Sequence, residues 1–273
     1  MHNPSLEFDA QALIAQQQKL VRREKRKVVL IQVALVVFIL VVWELLVRIG
    51  LVKEFWLGEP SKIFGFIVKT ISDGTLLRDT WVTTEETVIG VLSGFVLGAA
   101  AGLMIWWSKT LERVLDPLMV ALNSLPKIAL TPIFLLWFGV GVMMKIALTF
   151  STVFLVAFLS AAASLHSLDN ELMNLTAALG GTRWQVFRNV VIPSSLPWLF
   201  SAMKLSIGFG LTGAVVGEFV AANLGIGYLL LYGAQIYEMS LVWAGIVALL
   251  VIAMLMYWVV AVLENRLLYW RQT

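Results

Sequence analysis

Lys127 stands between two prolines, Pro126 and Pro132, midway along a mainly apolar run at 117–138. An ammonium group inside hydrocarbon is costly unless it faces protein, water or an anion. The chemistry open to it is therefore electrostatic. It can draw a negatively charged solute into the membrane interior, or it can pair with a backbone carbonyl that a neighbouring proline has left without a donor. Pro117 adds a third proline to the same run. Each should bend its helix, and irregular backbone at membrane depth is tolerated where it lines a cavity. Pro126, Lys127 and Pro132 thus form the candidate wall of a passage. Glu218 is the second candidate pathway charge; with Lys204 it brackets a later apolar run, and both residues also suit ordinary span ends. Bond-breaking chemistry has no carrier here. No Gly-x-x-x-x-Gly-Lys-[Ser/Thr] phosphate loop occurs, His2 and His166 stand alone, no acidic pair or His cluster marks a catalytic or metal site, and cysteine is absent.

A second unit is polar and lies between apolar segments, from about His166 to Pro197. Asp169 can cap a first helix whose apolar face is Leu172, Leu175 and Leu179. Gly180 and Gly181 supply a left-handed stop, with Gly180 the position expected at positive φ. Thr182-Arg183-Trp184-Gln185 reads as a capping box opening a second helix. Trp184, Phe187 and Val191 form its apolar face, and Pro193 with Pro197 should end it. Two short helices at an angle make a rigid knob that can transmit force. A membrane bundle complete in itself has no need of one on its inner face, so the knob predicts that another protein docks there.

These residues have to be positioned by membrane helices. Sixty per cent of the 273 residues are apolar and 14% are charged, whereas a soluble chain carries roughly a quarter charged residues. The excess apolar surface needs lipid, which defines an all-α integral membrane protein. About 20 residues cross the hydrocarbon, giving spans at 28–47, 86–107, 117–138, 144–165, 198–218 and 240–263. Six Lys/Arg lie between Lys19 and Lys27. They read as a positive-inside topology signal, not as a nucleic-acid site, and put the N-terminus in the cytoplasm. Six crossings then put Lys109, Arg113, Arg183, Arg188, Arg266 and Arg271 on the same side. The segment 219–237 is uncharged but carries Asn223, Gly225, Gly227, Gly233 and Gln235, so it reads as a surface or re-entrant piece and not a seventh span. The resulting parts are a cytoplasmic tail at 1–27, a transmembrane domain at 28–265 that includes the inner loop 166–197, and a cytoplasmic tail at 266–273. No cleavable signal peptide is expected, since the first residues are polar.

Finer packing features are also legible. Leu13, Ile14, Gln17, Leu20 and Val21 have the spacing of an amphipathic inner-surface helix, with a flexible tail as the alternative. Pro60, Ile63, Phe64, Ile67 and Ile71 suggest a short helix in the outer interface. Gly90, Gly94, Gly98 and Gly102 recur every four residues, a ladder that lets helices approach closely; packing within the chain is the expected use. Gly213 and Gly217 repeat the device. Trp43, Trp106, Trp107, Trp137, Trp198, Trp258 and Trp270 lie near span ends, as interfacial belts require.

The knob resembles the signature of permease subunits of binding-protein-dependent ABC importers: Glu-Ala-Ala, three residues, Gly, nine residues, Ile-x-Leu-Pro. Here the glycine is Gly180 and Val190-Val191-Ile192-Pro193 fills the closing element, while Asn174-Leu175-Thr176 stands where the family has Glu-Ala-Ala. Leu125 to Pro132, Leu136-Trp137-Phe138-Gly139-Val140-Gly141 with Lys145, and Val216 to Tyr228 are similar to the nitrate/sulfonate/taurine branch of that family. The resemblance runs from about Asp116 to Tyr228, and the hydropathy pattern carries it over nearly the whole chain. It implies a type I ABC importer permease fold of six transmembrane helices in a bacterial cytoplasmic membrane. It also implies a homodimer, two copies of a cytoplasmic ATPase that binds ATP-Mg, and a periplasmic or lipid-anchored solute-binding protein. The residues it assigns to ATPase coupling are Leu172, Asn174, Leu175, Thr176, Ala177, Ala178, Leu179, Gly180, Gly181, Thr182 and Arg183. This chain itself would hold no cofactor. Sulfonates, taurine, nitrate, bicarbonate, aromatic acids and vitamin precursors are the solutes the resemblance allows. The rival reading is an ion-coupled secondary transporter, which would usually carry an inverted repeat and acidic residues inside spans. No clear repeat is visible, and Glu44, Glu218 and Glu264 fall near span ends.

Overall fold

A computed structural model describes residues 4–221 and 223–268, and every regular element among them is helical. The chain divides into two compact units, 1–64 and 65–273. In the first, α1 (Pro4–Arg48) is a single helix of 45 residues. Its side chains are exposed all round from Val28 to Val42, as suits a lipid-facing span. The amphipathic face expected over Leu13 to Val21 involves side chains outside the described residues. After a turn, α2 (Glu54–Leu57) and the start of α3 (Pro60–Ser72) fold back on the end of α1. Trp43 Nε1 donates to the Gly58 carbonyl at 3.2 Å, and Glu44 accepts from Ser61 N at 3.1 Å and from Ser61 Oγ at 2.9 Å. Lys62 pairs with Glu54 at 2.7 Å and with Glu59 at 3.0 Å. Its hydrogen bond holds the Glu59 carboxyl below the usual carboxylate range.

The second unit is built on α4 (Thr75–Met104), α7 (Val142–His166) and α10 (Ile192–Ala221). The glycine ladder of α4 seats against α7, within the chain. A Cβ on Gly90 would lie 2.5 Å from the side chain of Thr149, one on Gly94 2.8 Å from the Phe150 carbonyl, one on Gly98 2.4 Å from that of Phe154, and one on Gly102 2.5 Å from that of Phe158. Gly213 and Gly217 of α10 bring a second helix against Thr149 and Lys145 of the same α7, where a Cβ on either would lie 2.9 Å from its neighbour. Lipid tails provide no hydrophobic drive between helices, so close van der Waals contact of this kind holds the bundle. α7 is accordingly the central helix, with Met144, Leu148, Val153, Ala157, Phe158 and Ala161 all buried.

The third span is broken, not merely bent. α5 (Lys109–Ser124) starts on a Ser108 cap and ends at Leu125, whose φ of −69° and ψ of 134° are extended. Pro126 imposes that conformation, because its ring excludes the α region for the residue before it. A 3₁₀ turn, Lys127–Leu130, then leads into α6 (Thr131–Phe138), and the two limbs meet at 90°. The three prolines therefore act differently from one another. Pro117 lies inside α5 without interrupting it, and Pro132 occupies the first turn of α6, where a missing donor costs nothing. Only Pro126 breaks the chain direction. Counting this pair as one, six helical segments among the described residues are long and apolar enough to cross a membrane.

Two further expectations are settled. The segment 219–237 holds α11 (Ile226–Gln235), a helix of ten residues that is too short to cross the hydrocarbon, before α12 (Met239–Leu267) begins. Pro193 and Pro197 do not end the second helix of the inner knob. They lie in the first turns of α10, which continues α9 (Arg183–Val186) through a π-helical turn at Phe187–Val191. The wider turn lies just before Pro193, while Pro197 is accommodated inside α10 without ending it. Trp270 and the tail beyond 268 lie outside the described residues.

Candidate functional site

The inner knob is capped at every end. In α8 (Asn170–Ala178), Asp169 accepts from Glu171 N at 2.8 Å. The helix stops in a Schellman motif: Gly181 N donates to the Thr176 carbonyl and Gly180 N to that of Ala177, both at 3.0 Å, with Gly180 at φ 82°. Thr182 and Gln185 then form a reciprocal capping box, Thr182 N to Gln185 Oε1 at 2.7 Å and Gln185 N to Thr182 Oγ1 at 3.3 Å. With few backbone groups left unpaired, the angle between the helices is fixed. The knob is fastened to the bundle through aromatic rings. Phe187 lies 4.1 Å from Trp107 and 5.6 Å from Trp106, centroid to centroid, and Trp184 stacks on Phe187 at 5.7 Å. Phe187 and Val191 are buried with Ala157, Ala161 and Leu168. The leucine row of α8 has no such cover: Leu172, Leu175 and Leu179 are 48, 56 and 81% exposed.

A second feature lies where the third span breaks. A cavity of about 200 Å³ is lined by Pro126, Lys127, Ile128, Leu148, Thr152, Phe209, Thr212, Gly213 and Val216. An adjoining one of about 320 Å³ shares Lys127, Thr152 and Phe209 and adds Asn123, Val156, Leu159 and Ser160. Walls from α5, α7 and α10 are thus mainly apolar, with one ammonium and several hydroxyls. Lys127 Nζ donates to the Asn123 carbonyl, one of the last-turn acceptors of α5 that helix geometry leaves without a partner, and to Asn123 Oδ1 at 3.0 Å. Lys127 therefore caps a broken helix and lines a cavity. Pro132 and Glu218 are not among the lining residues.

Glu218 sits in a different place, 1% exposed, inside a polar cluster. It accepts from Thr83 Oγ1 at 2.7 Å and from Gly227 N at 2.5 Å. Beside it Lys145 pairs with Glu86, and both are buried. The span 86–107 begins at Glu86 and carries no signal of this pair, because its partner lies far along the chain. The signal for a buried Glu86 was the extension of the glycine stripe: Asp79, Thr83 and Glu86 precede Gly90 at spacings of three and four, on the face already assigned to packing. Lys204, the other bracket of that run, pairs with Glu264 of α12 and lies 5.5 Å from the ring centre of Tyr257.

A multi-helix bundle with a broken span beside a cavity, and a stiff uncovered knob joined to it, defines the membrane-embedded subunit of a transporter. The chain belongs to the family of binding-protein-dependent transport system inner membrane components, whose pattern it matches over residues 94–269. It is 31% identical to a formylaminopyrimidine transport permease protein of Halalkalibacterium halodurans, with 86% of this chain and 93% of that one aligned. Identity is 29% to a riboflavin transport system permease protein of Chloroflexus aurantiacus (85 and 87% covered) and 29% to a putative aliphatic sulfonates transport permease protein of Bacillus subtilis (86 and 85% covered). Its fold matches that of a chain of the MetNI methionine ABC transporter in an inward-facing conformation, with a TM-score of 0.64 at 20% identity over 71% of this chain and 96% of that one. The chain is therefore a multi-pass ABC importer permease of the type I fold, a transport component.

Proposed function

We propose that two copies of this chain form a solute passage worked from the cytoplasmic side by a pair of ATPase subunits. Residues Leu172 to Arg183 serve as the docking element. The observation that carries this is the row of exposed leucines on a knob whose caps and aromatic anchors make it stiff. An apolar row of that kind on a polar loop calls for a protein partner, and a stiff one can pass displacement to α7 and α10. ATP-Mg binds in the partner, and a solute-binding protein delivers cargo to the outer face. Both termini lie in the cytoplasm. The test is uptake into proteoliposomes. Concentrative transport should need the ATPase, ATP and the binding protein together; uphill transport by the purified chain without nucleotide would favour the ion-coupled alternative and sink this reading.

The cargo is a small anion, drawn past Lys127 between the apolar walls of the cavity, with Pro126 shaping the wall. The named relatives are permeases for riboflavin, a formylaminopyrimidine and aliphatic sulfonates, so the effect of the charge at 127 is what tests the anion reading. Lys127→Ala should lower uptake of an anionic solute such as an alkanesulfonate by roughly tenfold, as loss of one charge-assisted contact would, while sparing a neutral solute. Equal losses for both would leave Lys127 only its structural role as the cap of α5.

A further inference from the structure

The polar cluster around Glu218 has a single geometric centre, the N-terminus of α11. Its first backbone donors all go to side chains of other helices. Gly225 N donates to Asp79 Oδ1 at 3.4 Å, Ile226 N to Thr83 Oγ1 at 2.7 Å, and Gly227 N to Glu218 Oε2 at 2.5 Å. Thr83 passes its own proton on to Glu218 Oε1 at 2.7 Å. Two glycines make the approach possible. A Cβ on Gly225, at φ +112°, would lie 2.1 Å from Glu218 Oε1, and one on Gly227 2.7 Å from Glu218 Cβ.

The charges divide in the same way. Glu86 has the ammonium of Lys145, and Asp79 has Arg78 at 3.5 Å. Glu218 has no side-chain cation of its own among the described ion pairs; the Glu86–Lys145 pair is its charged neighbour, and the positive end of α11 with the donors there faces it from the other helix. A carboxylate this deeply buried needs such partners. If α11 lifted away, Glu218 would lose them, and the helix terminus would lose its acceptors in the same movement. Along its length α11 is also packed: Ile226 and Leu229 are buried with Leu76 of α4 and Ala248 of α12.

We propose that Glu218 is a positioning residue: with Thr83 and Asp79 it clamps the N-terminus of α11 onto α4 and α10, so that α11 moves with those helices as one body during transport and does not open as a separate lid. The proposal rests on the import reading above. The cysteine-free chain allows a direct test in the reconstituted complex of permease, ATPase and binding protein. Leu76→Cys and Leu229→Cys, whose side chains pack in one cluster, are introduced together and joined to each other by oxidation to a disulfide, which adds no spacer to the buried site. In the otherwise native chain, linking should leave ATP-driven uptake unchanged. Glu218→Ala should reduce uptake severalfold, and linking the same cysteine pair in that background should recover most of the loss, which a tether can do only if holding α11 was the function. Loss of uptake on linking in the native background would overturn the proposal, and so would an unaltered Glu218→Ala variant. If Glu218→Ala does not fold, the native-background linking decides. A double-cysteine variant that shows no ATP-dependent uptake before linking speaks against the import reading itself, so the two failures are distinguishable.

Discussion

At the residue scale, Gly180 separates two reasons for a glycine. Nothing lies within 4 Å of a Cβ built there, so space does not demand it; φ 82° does. A β-branched residue in that region costs about 1–2 kcal/mol, borne wholly by a loop outside the bundle. Gly180→Val should therefore insert and fold normally but fail to link ATP hydrolysis to uptake, whereas Gly180→Asn, which tolerates the left-handed region, should keep most coupling. Parallel measurement of ATPase rate and uptake in the same liposomes checks this; full coupling in the valine variant would count against docking through this knob. Lys145 and Glu86 offer the opposite kind of prediction. Each is buried and compensates the other, so Glu86→Leu or Lys145→Met alone should destabilise the folded chain by roughly 3–5 kcal/mol, and the double variant by clearly less than the sum. Thermal unfolding in detergent, followed by size-exclusion profiles, reads this directly. Additive losses would show that the two charges do not depend on each other. Gly180 was legible from sequence because a helix stop is a local matter. The Lys145–Glu86 pair was not, because it joins residues far apart in the chain and only the fold brings them together.

At the scale of elements, the spacing of small residues specified how close two helices could come but not which two. The ladder at Gly90 to Gly102 implied a tight seam, and only the structure shows α7 filling it. Gly98 lies where the seam is tightest, its absent Cβ 2.4 Å from a backbone carbonyl that has no rotamer by which to move. Gly98→Val should cost more than the 1–3 kcal/mol usual for overpacking and lower the yield of folded protein, while a valine at Gly65, where nothing lies within 4 Å, should not. Fluorescence-detected size exclusion of the two variants gives the comparison, and similar profiles would remove the seam from its place at the centre of the fold. The broken third span was partly legible for a related reason. Three prolines announced irregular backbone, but their consequences depend on position within a helix, so Pro126 breaks the chain while Pro117 and Pro132 fit regular turns. The π-helical turn at Phe187–Val191 leaves no composition signal, since it is a matter of hydrogen-bond offset, and the expected end of the knob at Pro193 fell to it.

For the whole molecule, the sidedness of every functional feature hangs on parity. Because α11 has ten residues, the ends of α10 and α12 that flank it fall on one side in the proposed topology. That topology assigns the turn after α1 to the same outer side, and the knob with the basic residues of 19–27, 183 and 266 to the cytoplasmic side. A cysteine-free chain makes this measurable without background. Single cysteines at Lys53 and Glu238 should react with a membrane-impermeant maleimide added outside intact cells, and cysteines at Glu171 and Gln272 should react only after the membrane is opened. A crossing by 219–237 would leave Lys53 labelled but transfer Glu238 to the protected set and Gln272 to the reactive one. That exchange would also separate α12's basic end from the cytoplasm, against the charge rule that orients the remaining spans. The labels at Lys53 and Glu171 thus test the sides proposed for the turn after α1 and for the knob, while those at Glu238 and Gln272 test whether α11, with its ten residues, stays on one side.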